Sequence, residues 1–228
     1  MGQVPILLGE VGIPYDVNGS LIRKPGDYSV QATLLDALIS AMEQNWVSFT
    51  LWNYNPSNTV AHGDVWNMED FSIINLEPPA RDKQNTHYDK IEYKGGRALD
   101  AIIRPYASKV AGIPKRTSWN RRTRTFTFSW QAMDTTSEAP KSAITEIFVP
   151  EYLTRGSVPE IVVKHGEYEF HALNQTLHVK TSDEPGAMYS VTIRFGVRTG
   201  TQPVISIGLA LLVLLFALLS HLYVKRMA

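Results

Sequence analysis

The chain has 228 residues, enough for one compact domain or somewhat more. A hydrophobic fraction of 44% with five Trp, ten Tyr and eight Phe marks a folded protein rather than a disordered one. The 22 basic residues cancel the 22 acidic ones, so no global field argues for nucleic acid or an acidic partner, and with no cysteine there is no disulfide framework, thiolate metal site or cysteine nucleophile.

Residues 1–5 show no basic region followed by an apolar stretch and so do not form a secretory signal. Residues 5–10 are a short apolar run that stops at Glu10, the pattern of a buried strand. After a polar loop with Gly and Pro, Val30, Leu34, Leu38 and Ala41 recur at helical spacing. Leu35 and Met42 widen that apolar face, which predicts an amphipathic helix over 29–44. A second strand is expected over 46–52 and a shorter helix over 96–103. Strand, helix, strand, helix is the order of a parallel α/β sheet. Two strands alone leave two raw edges and an uncovered core, so something must complete the sheet.

From residue 105 the rhythm changes to short apolar runs at 125–130, 144–149, 160–163, 168–171, 177–180 and 189–195, the pattern of a β-sandwich. The connection into it holds Pro105, Gly112 and Pro114, then Lys115, Arg116, Arg121, Arg122 and Arg124. It reads as a solvated loop rather than a polyanion or lipid headgroup site. Residues 204–224 carry no formal charge and end at Lys225 and Arg226. At about 1.5 Å per residue this stretch is roughly 30 Å long, the thickness of a bilayer core, and reads as a transmembrane helix with a short basic tail over 225–228. The Lys225 and Arg226 pair and the sequons at Asn18 and Asn174 favour a single-pass membrane protein with a lumenal or extracellular body. Arg194 and Arg198 on the other flank weaken that asymmetry.

Chemistry gathers where the two parallel strands end, at Glu10 and Trp52. A strand-end Glu is suited to act as a nucleophile, and the preceding Gly9 leaves room for substrate or a neighbouring chain. Beyond Trp52 the loop 53–87 is longer than a connector needs, and it alternates aromatics with amides and carboxylates: Asn53, Tyr54, Asp64, Trp66 and Asn67. Sugars present an apolar face and a fan of hydroxyls, which Trp flanked by Asn, Asp and Tyr can match. The six His show no ligand spacing, so neither a metal nor an organic cofactor is expected.

The segments LLGEVGIPYDVN, WVSFTLWNYNPSN and HGDVWNMEDFSI, with GGRALDAIIRPYA and AITEIFVP after them, resemble the end of glycoside hydrolase family 5, most closely its endoglycoceramidase-related subgroup of steryl-β-glucosidases and glucosylceramidases. The resemblance covers about residues 4–199. It implies α/β plus all-β architecture: the last two βα units of a TIM (β/α)8 barrel over 1–104, a β-sandwich over 105–200, and the membrane helix outside the match. It also implies a retaining hydrolase with Glu10 as nucleophile and Trp52 under the sugar, acting without cofactor on a β-glucoside of a sterol or ceramide. The family's acid/base Glu, in an Asn-Glu-Pro motif after the fourth strand, has no counterpart here. The chain alone is therefore expected to be inactive and to need the remaining barrel portion, or to self-associate. The reading from another class is a non-catalytic, membrane-tethered carbohydrate-binding or adaptor protein.

Overall fold

The computed structural model describes residues 5–16, 27–77, 93–133, 143–181 and 186–196. The expected membrane helix over 204–224, the tail over 225–228 and the Asn18 sequon lie outside the described residues. Among those residues no helix is long and apolar enough to cross a membrane.

Helix α1 (Ser29–Gln44) forms where the sequence repeats apolar residues every three or four positions, and it buries Ala32, Leu35, Ile39 and Met42. The row Val30, Leu34 and Ala41, expected to face the core, is instead exposed, and only Leu35 and Met42 of the anticipated face are buried. The stripe thus sits one residue further along: Ala32 and Leu35 pack against Tyr15, Ala98 and Ala101, while Ile39 and Met42 face β1 (Leu7–Val11) and β2 (Ser48–Leu51). These two strands pair in parallel, and Val11 packs against Ile39 and Met42. The run that reads as a buried strand is also exposed: Ile6, Leu7 and Leu8 stand 60%, 64% and 44% open, since one strand and one helix cannot cover both faces of β1.

Entry into β2 is set by Trp46 at φ 56°, a left-handed position usually taken by glycine. The Trp46 amide donates to the Glu43 carbonyl and the Val47 amide to the Met42 carbonyl, which closes the end of α1. The second helix is shorter than the spacing predicts. Helix α2 (Leu99–Ile102) starts after Ala98 at φ 53° and stops at extended Ile103, in line with Pro105 disfavouring helix at the residue before it.

The β-sandwich is built from two antiparallel sheets, and two of its strands precede the first apolar run expected, at 125–130. Strands β3 (Tyr106–Lys109) and β4 (Ile113–Asn120) occupy the expected linker. They precede β5 (Thr125–Gln131), β6 (Ile144–Phe148), the short α3 (Glu151–Thr154), β7 (Glu160–Lys164), β8 (Glu167–His171), β9 (Thr176–Lys180) and β10 (Met188–Arg194). The sheets run β4-β5-β10-β7 and β3-β6-β9-β8. Strand β4 hides in the sequence because Pro114 falls at a break in its register and its outward residues are basic. Its inward Trp119 is buried. The basic cluster is accordingly no solvated loop throughout: Lys115 and Arg116 lie on β4, and Arg121 donates to Asp100 at 2.6 Å and Arg124 to the Leu153 carbonyl at 2.6 Å.

Period-two alternation supplies the core. Phe126, Phe128 and Trp130 of β5 and Tyr189, Val191 and Ile193 of β10 face Ile147, Leu177 and Val179 of the other sheet. Each such side chain contributes about 1.5–3 kcal/mol through burial. Trp130 stacks on Phe128 and on Tyr189, with centroids 5.4 Å apart in both pairs. Asn174, the second sequon, is exposed in the β8–β9 turn.

Arg104 joins the parallel pair to the sandwich. Its side chain is 3% exposed and donates to Asp36 (2.7 Å) and Glu43 (3.1 Å) on α1, while its backbone leads directly into β3. Trp46 meets Phe128 edge-on at 6.4 Å, so the parallel pair and the sandwich pack within one compact unit, residues 1–196. Burial raises the pKa of Glu43 and outweighs the opposing pull of Arg104. A carboxyl whose folded pKa lies above its unfolded value adds stability that is fully present below the unfolded value, near 4.3, and is lost as pH rises through the folded one. Glu43→Gln removes this dependence. Urea unfolding at pH 4 and pH 7 is expected to show the variant gaining on the wild type at the higher pH; an unchanged difference would exclude this account.

Candidate active site

The register of the parallel pair decides where Glu10 goes. Leu8 pairs with Phe49 and Val11 with Leu51, so Gly9 and Glu10 together oppose the single residue Thr50 in a β-bulge. The bulge lets Val11 turn toward α1 while Glu10 stays with Thr50 on the other face, and the Thr50 hydroxyl donates to the Gly9 carbonyl. Glu10 is exposed.

Trp52 follows β2 by alternation on that same face, and its amide donates to the Val11 carbonyl at 2.8 Å. The two expected residues therefore lie side by side at the carboxyl ends of paired strands. Gly9 borders open space, whereas the close approach is at Gly12, where a Cβ would collide with the Trp52 carbonyl.

The long loop is a polar scaffold with an aromatic rim. Asp64, 3% exposed, is its centre: one carboxylate oxygen accepts from Asn53 (2.9 Å) and the Phe71 amide (2.8 Å), the other from Asn58 (2.7 Å). Asn55 donates to the Asp64 carbonyl at 2.7 Å. Asp64 and Asn53 thus act from inside the loop. Asn58, also buried, donates to Asp70 (2.9 Å) and accepts from Asn75 (2.8 Å).

On the rim, Trp66 lies 5.6 Å from Trp52 by ring centroids, and the Trp52 indole donates to Glu69 at 3.2 Å. Trp66 is 56% exposed and Tyr54 66%, so the outer part of the platform is open to solvent. Asn67 is exposed as well, at φ 50°, and no hydrogen bond or ring contact ties it or Tyr54 to the Trp pair among the described residues.

One guanidinium anchors this loop to the strands and was not legible beforehand. Arg97, 3% exposed, donates to the Ser72 carbonyl at 2.7 Å and pairs with Asp70 at 2.8 Å. It also lies 3.8 Å above the Tyr15 ring, and Tyr15 donates its hydroxyl to the Arg97 carbonyl (3.1 Å) and its amide to the Asp70 carbonyl (2.6 Å). An Arg after two glycines carries no local signal of such a role; the density of Asn and Asp over 53–75 was the only clue that the loop is internally bonded.

The chain matches known proteins along most of its length. Residues 104–193 match the family model described as the glycoside hydrolase family 5 C-terminal domain. A glucosylceramidase of Rhizopus delemar is 36% identical over 206 residues, covering 87% of this chain and 29% of that protein. The crystal structure of Cryptococcus neoformans sterylglucosidase 1 superposes with a TM-score of 0.68 at 28% identity, over 83% of this chain and 28% of the other. Endo-glycoceramidase II from Rhodococcus sp. shares the fold, with a TM-score of 0.52 at 17% identity, over 85% of this chain and 34% of the other. The chain spans about 29% of the length of the curated relative it matches.

Arg97→Met takes the guanidinium away from the buried Asp70 carboxylate. It is expected to cost about 3–5 kcal/mol, read as a lower urea midpoint together with new protease cleavage between residues 53 and 77. A midpoint shift below about 1 kcal/mol would show that the loop is held by other contacts.

Proposed function

We propose, since the chain belongs to glycoside hydrolase family 5 as a C-terminal part of its endoglycoceramidase-related subgroup, that it supplies the nucleophile and sugar platform of a retaining β-glucosidase for lipid-linked glucosides such as steryl glucosides or glucosylceramide. The observation that carries this reading is the bulge that keeps Glu10 on one face with Thr50, beside Trp52 at the ends of two paired parallel strands. The relatives named as a glucosylceramidase and a sterylglucosidase support a lipid-borne substrate.

In the proposed reaction a Glu10 carboxylate oxygen attacks the anomeric carbon as the bond to the lipid oxygen breaks. The leaving oxygen takes its proton from a second carboxyl group about 5 Å away. That group, as carboxylate, then removes a proton from the water that cleaves the glucosyl ester and frees Glu10. Trp52 stacks beneath the sugar, Trp66 extends the platform outward, and Tyr54 and Asn67 border the mouth, while Asp64 and Asn53 fix the backbone that carries them. The exposed apolar residues Leu7 and Leu8 on β1, Ile6 just before it, and Val30 and Leu34 on α1 support completion by further βα units of a barrel that brings the acid/base. Without those units the chain is silent. Residues 204–224 hold the body at a membrane, on its lumenal or extracellular side, within reach of lipid glucosides.

The test combines the full chain with the barrel portion of the Rhizopus relative that precedes the matched region. Hydrolysis of 4-methylumbelliferyl β-glucoside is expected only from the pair, with Glu10→Gln lowering kcat/KM by at least about a thousandfold. Trp52→Ala should lower it roughly three- to tenfold, as loss of one stacking contact. A 2-deoxy-2-fluoroglucoside should label Glu10, seen by peptide mass. Turnover by the chain alone refutes its silence. A label on another residue refutes the nucleophile assignment, and saturable glucoside binding without turnover by the pair points to a sugar-binding module.

A further inference from the structure

On the face of β2 opposite Thr50 and Trp52, the sandwich does not close tightly against the parallel pair. A cavity of about 590 Å³ lies there, within the size range of small-molecule sites. Ile39, Phe49, Leu51, Val110, Phe128 and Phe148 line it, and Trp46 stands beside them, 47% exposed. The walls are therefore apolar and aromatic from both the α/β part and the sandwich.

The polar lining holds one ion pair, Arg104 with Glu43, beside the neutral Ser48, Thr117 and Tyr106. Arg104 reaches the cavity, but its guanidinium is taken up by Asp36, Ser40, Glu43 and the Ala101 carbonyl. Glu43 binds Arg104 through Oε2, and its Oε1 has no partner among the described residues. Two carboxylates against one guanidinium repel an anion and accept a hydrogen-bond donor. The raised pKa of Glu43 shows that burial there penalises its charge, which a donated hydrogen bond would relieve.

We propose that this cavity is a binding site for a neutral apolar molecule bearing a hydroxyl group, with its body among the aromatic and aliphatic walls and its hydroxyl donating to Glu43 Oε1. An apolar body gains from leaving water on every side of such a pocket, and a single hydroxyl supplies the donor the carboxylate lacks. An anionic headgroup is repelled by the same carboxylates, and a cationic one faces the Arg104 guanidinium. The inference does not depend on the role of Glu10.

Dehydroergosterol, a fluorescent rigid alcohol delivered from cyclodextrin, tests it on the full chain through energy transfer from tryptophan. Saturable binding of one sterol per chain is expected. Ala107→Trp, which fills the cavity, is expected to weaken binding by at least about tenfold, and so is Val110→Phe, with circular dichroism reporting which of the two keeps the fold. Cholesterol should compete at least about tenfold better than cholestane, which lacks the hydroxyl. No saturable transfer in the wild type overturns the proposal, as does undiminished binding in a folded cavity-filling variant. Equal competition by cholestane removes Glu43 from it. Should Ala107→Trp alter the sedimentation of the chain while no sterol binds, the cavity is a contact between copies and the proposal fails.

Discussion

The candidate site depends on a positive charge withdrawn from water. Moving a guanidinium into a protein interior costs several kcal/mol unless its donors and its charge are both answered. Arg97 meets that condition through Asp70, the Ser72 carbonyl and the Tyr15 ring. These three partners come from the long loop and from the segment after β1, so satisfying one side chain brings both to the same place. Asp64 and Asn58 extend the arrangement inward, and the Trp52–Trp66 rim is the part left facing out. The rigid polar interior thus presents an apolar, open edge, the form a sugar face requires.

Much of the fold was visible in patterns of period two and 3.6, because those patterns report burial directly. The alternation at 125–130 became β5, and the regular runs after it became the remaining sandwich strands. Where two signals overlapped, the pattern misled. The basic residues of β4 and its Pro114 concealed a strand whose inward Trp119 is buried, and α1 carries two apolar rows of which only one is covered by the described residues. The position of Glu10 and Trp52 near the ends of the two paired strands was legible because an apolar run that stops marks a strand end. Arg97, Asn58 and Asp70 were not, since their partners lie far along the chain and polar residues in loops look alike until their hydrogen bonds are known.

The sandwich also acts as a splint for the α/β part. Arg104 binds α1 at the point where the chain enters β3, Arg121 at the β4–β5 turn reaches Asp100 on α2, and Trp46 rests on Phe128. Two parallel strands and one helix bury too little apolar surface to stand by themselves, and the large aromatic core next to them compensates for part of that shortfall. The exposed rows on β1 and α1 mark where that support ends.

The bulge at Gly9 and Glu10 makes the direction of the carboxylate a matter of register rather than of composition. Because two residues share one partner there, Glu10 comes level with Thr50 and Val11 with Leu51, although the strand enters with Leu8 level with Phe49. Were the same residues to pair evenly from Leu8 onward, Glu10 would come level with Leu51 and its carboxylate would turn into the apolar contact with α1, where its charge is costly. Shedding Gly9 would abolish the bulge and still leave Glu10 level with Thr50, so the surplus residue can be lost from the strand but not absorbed into its ladder.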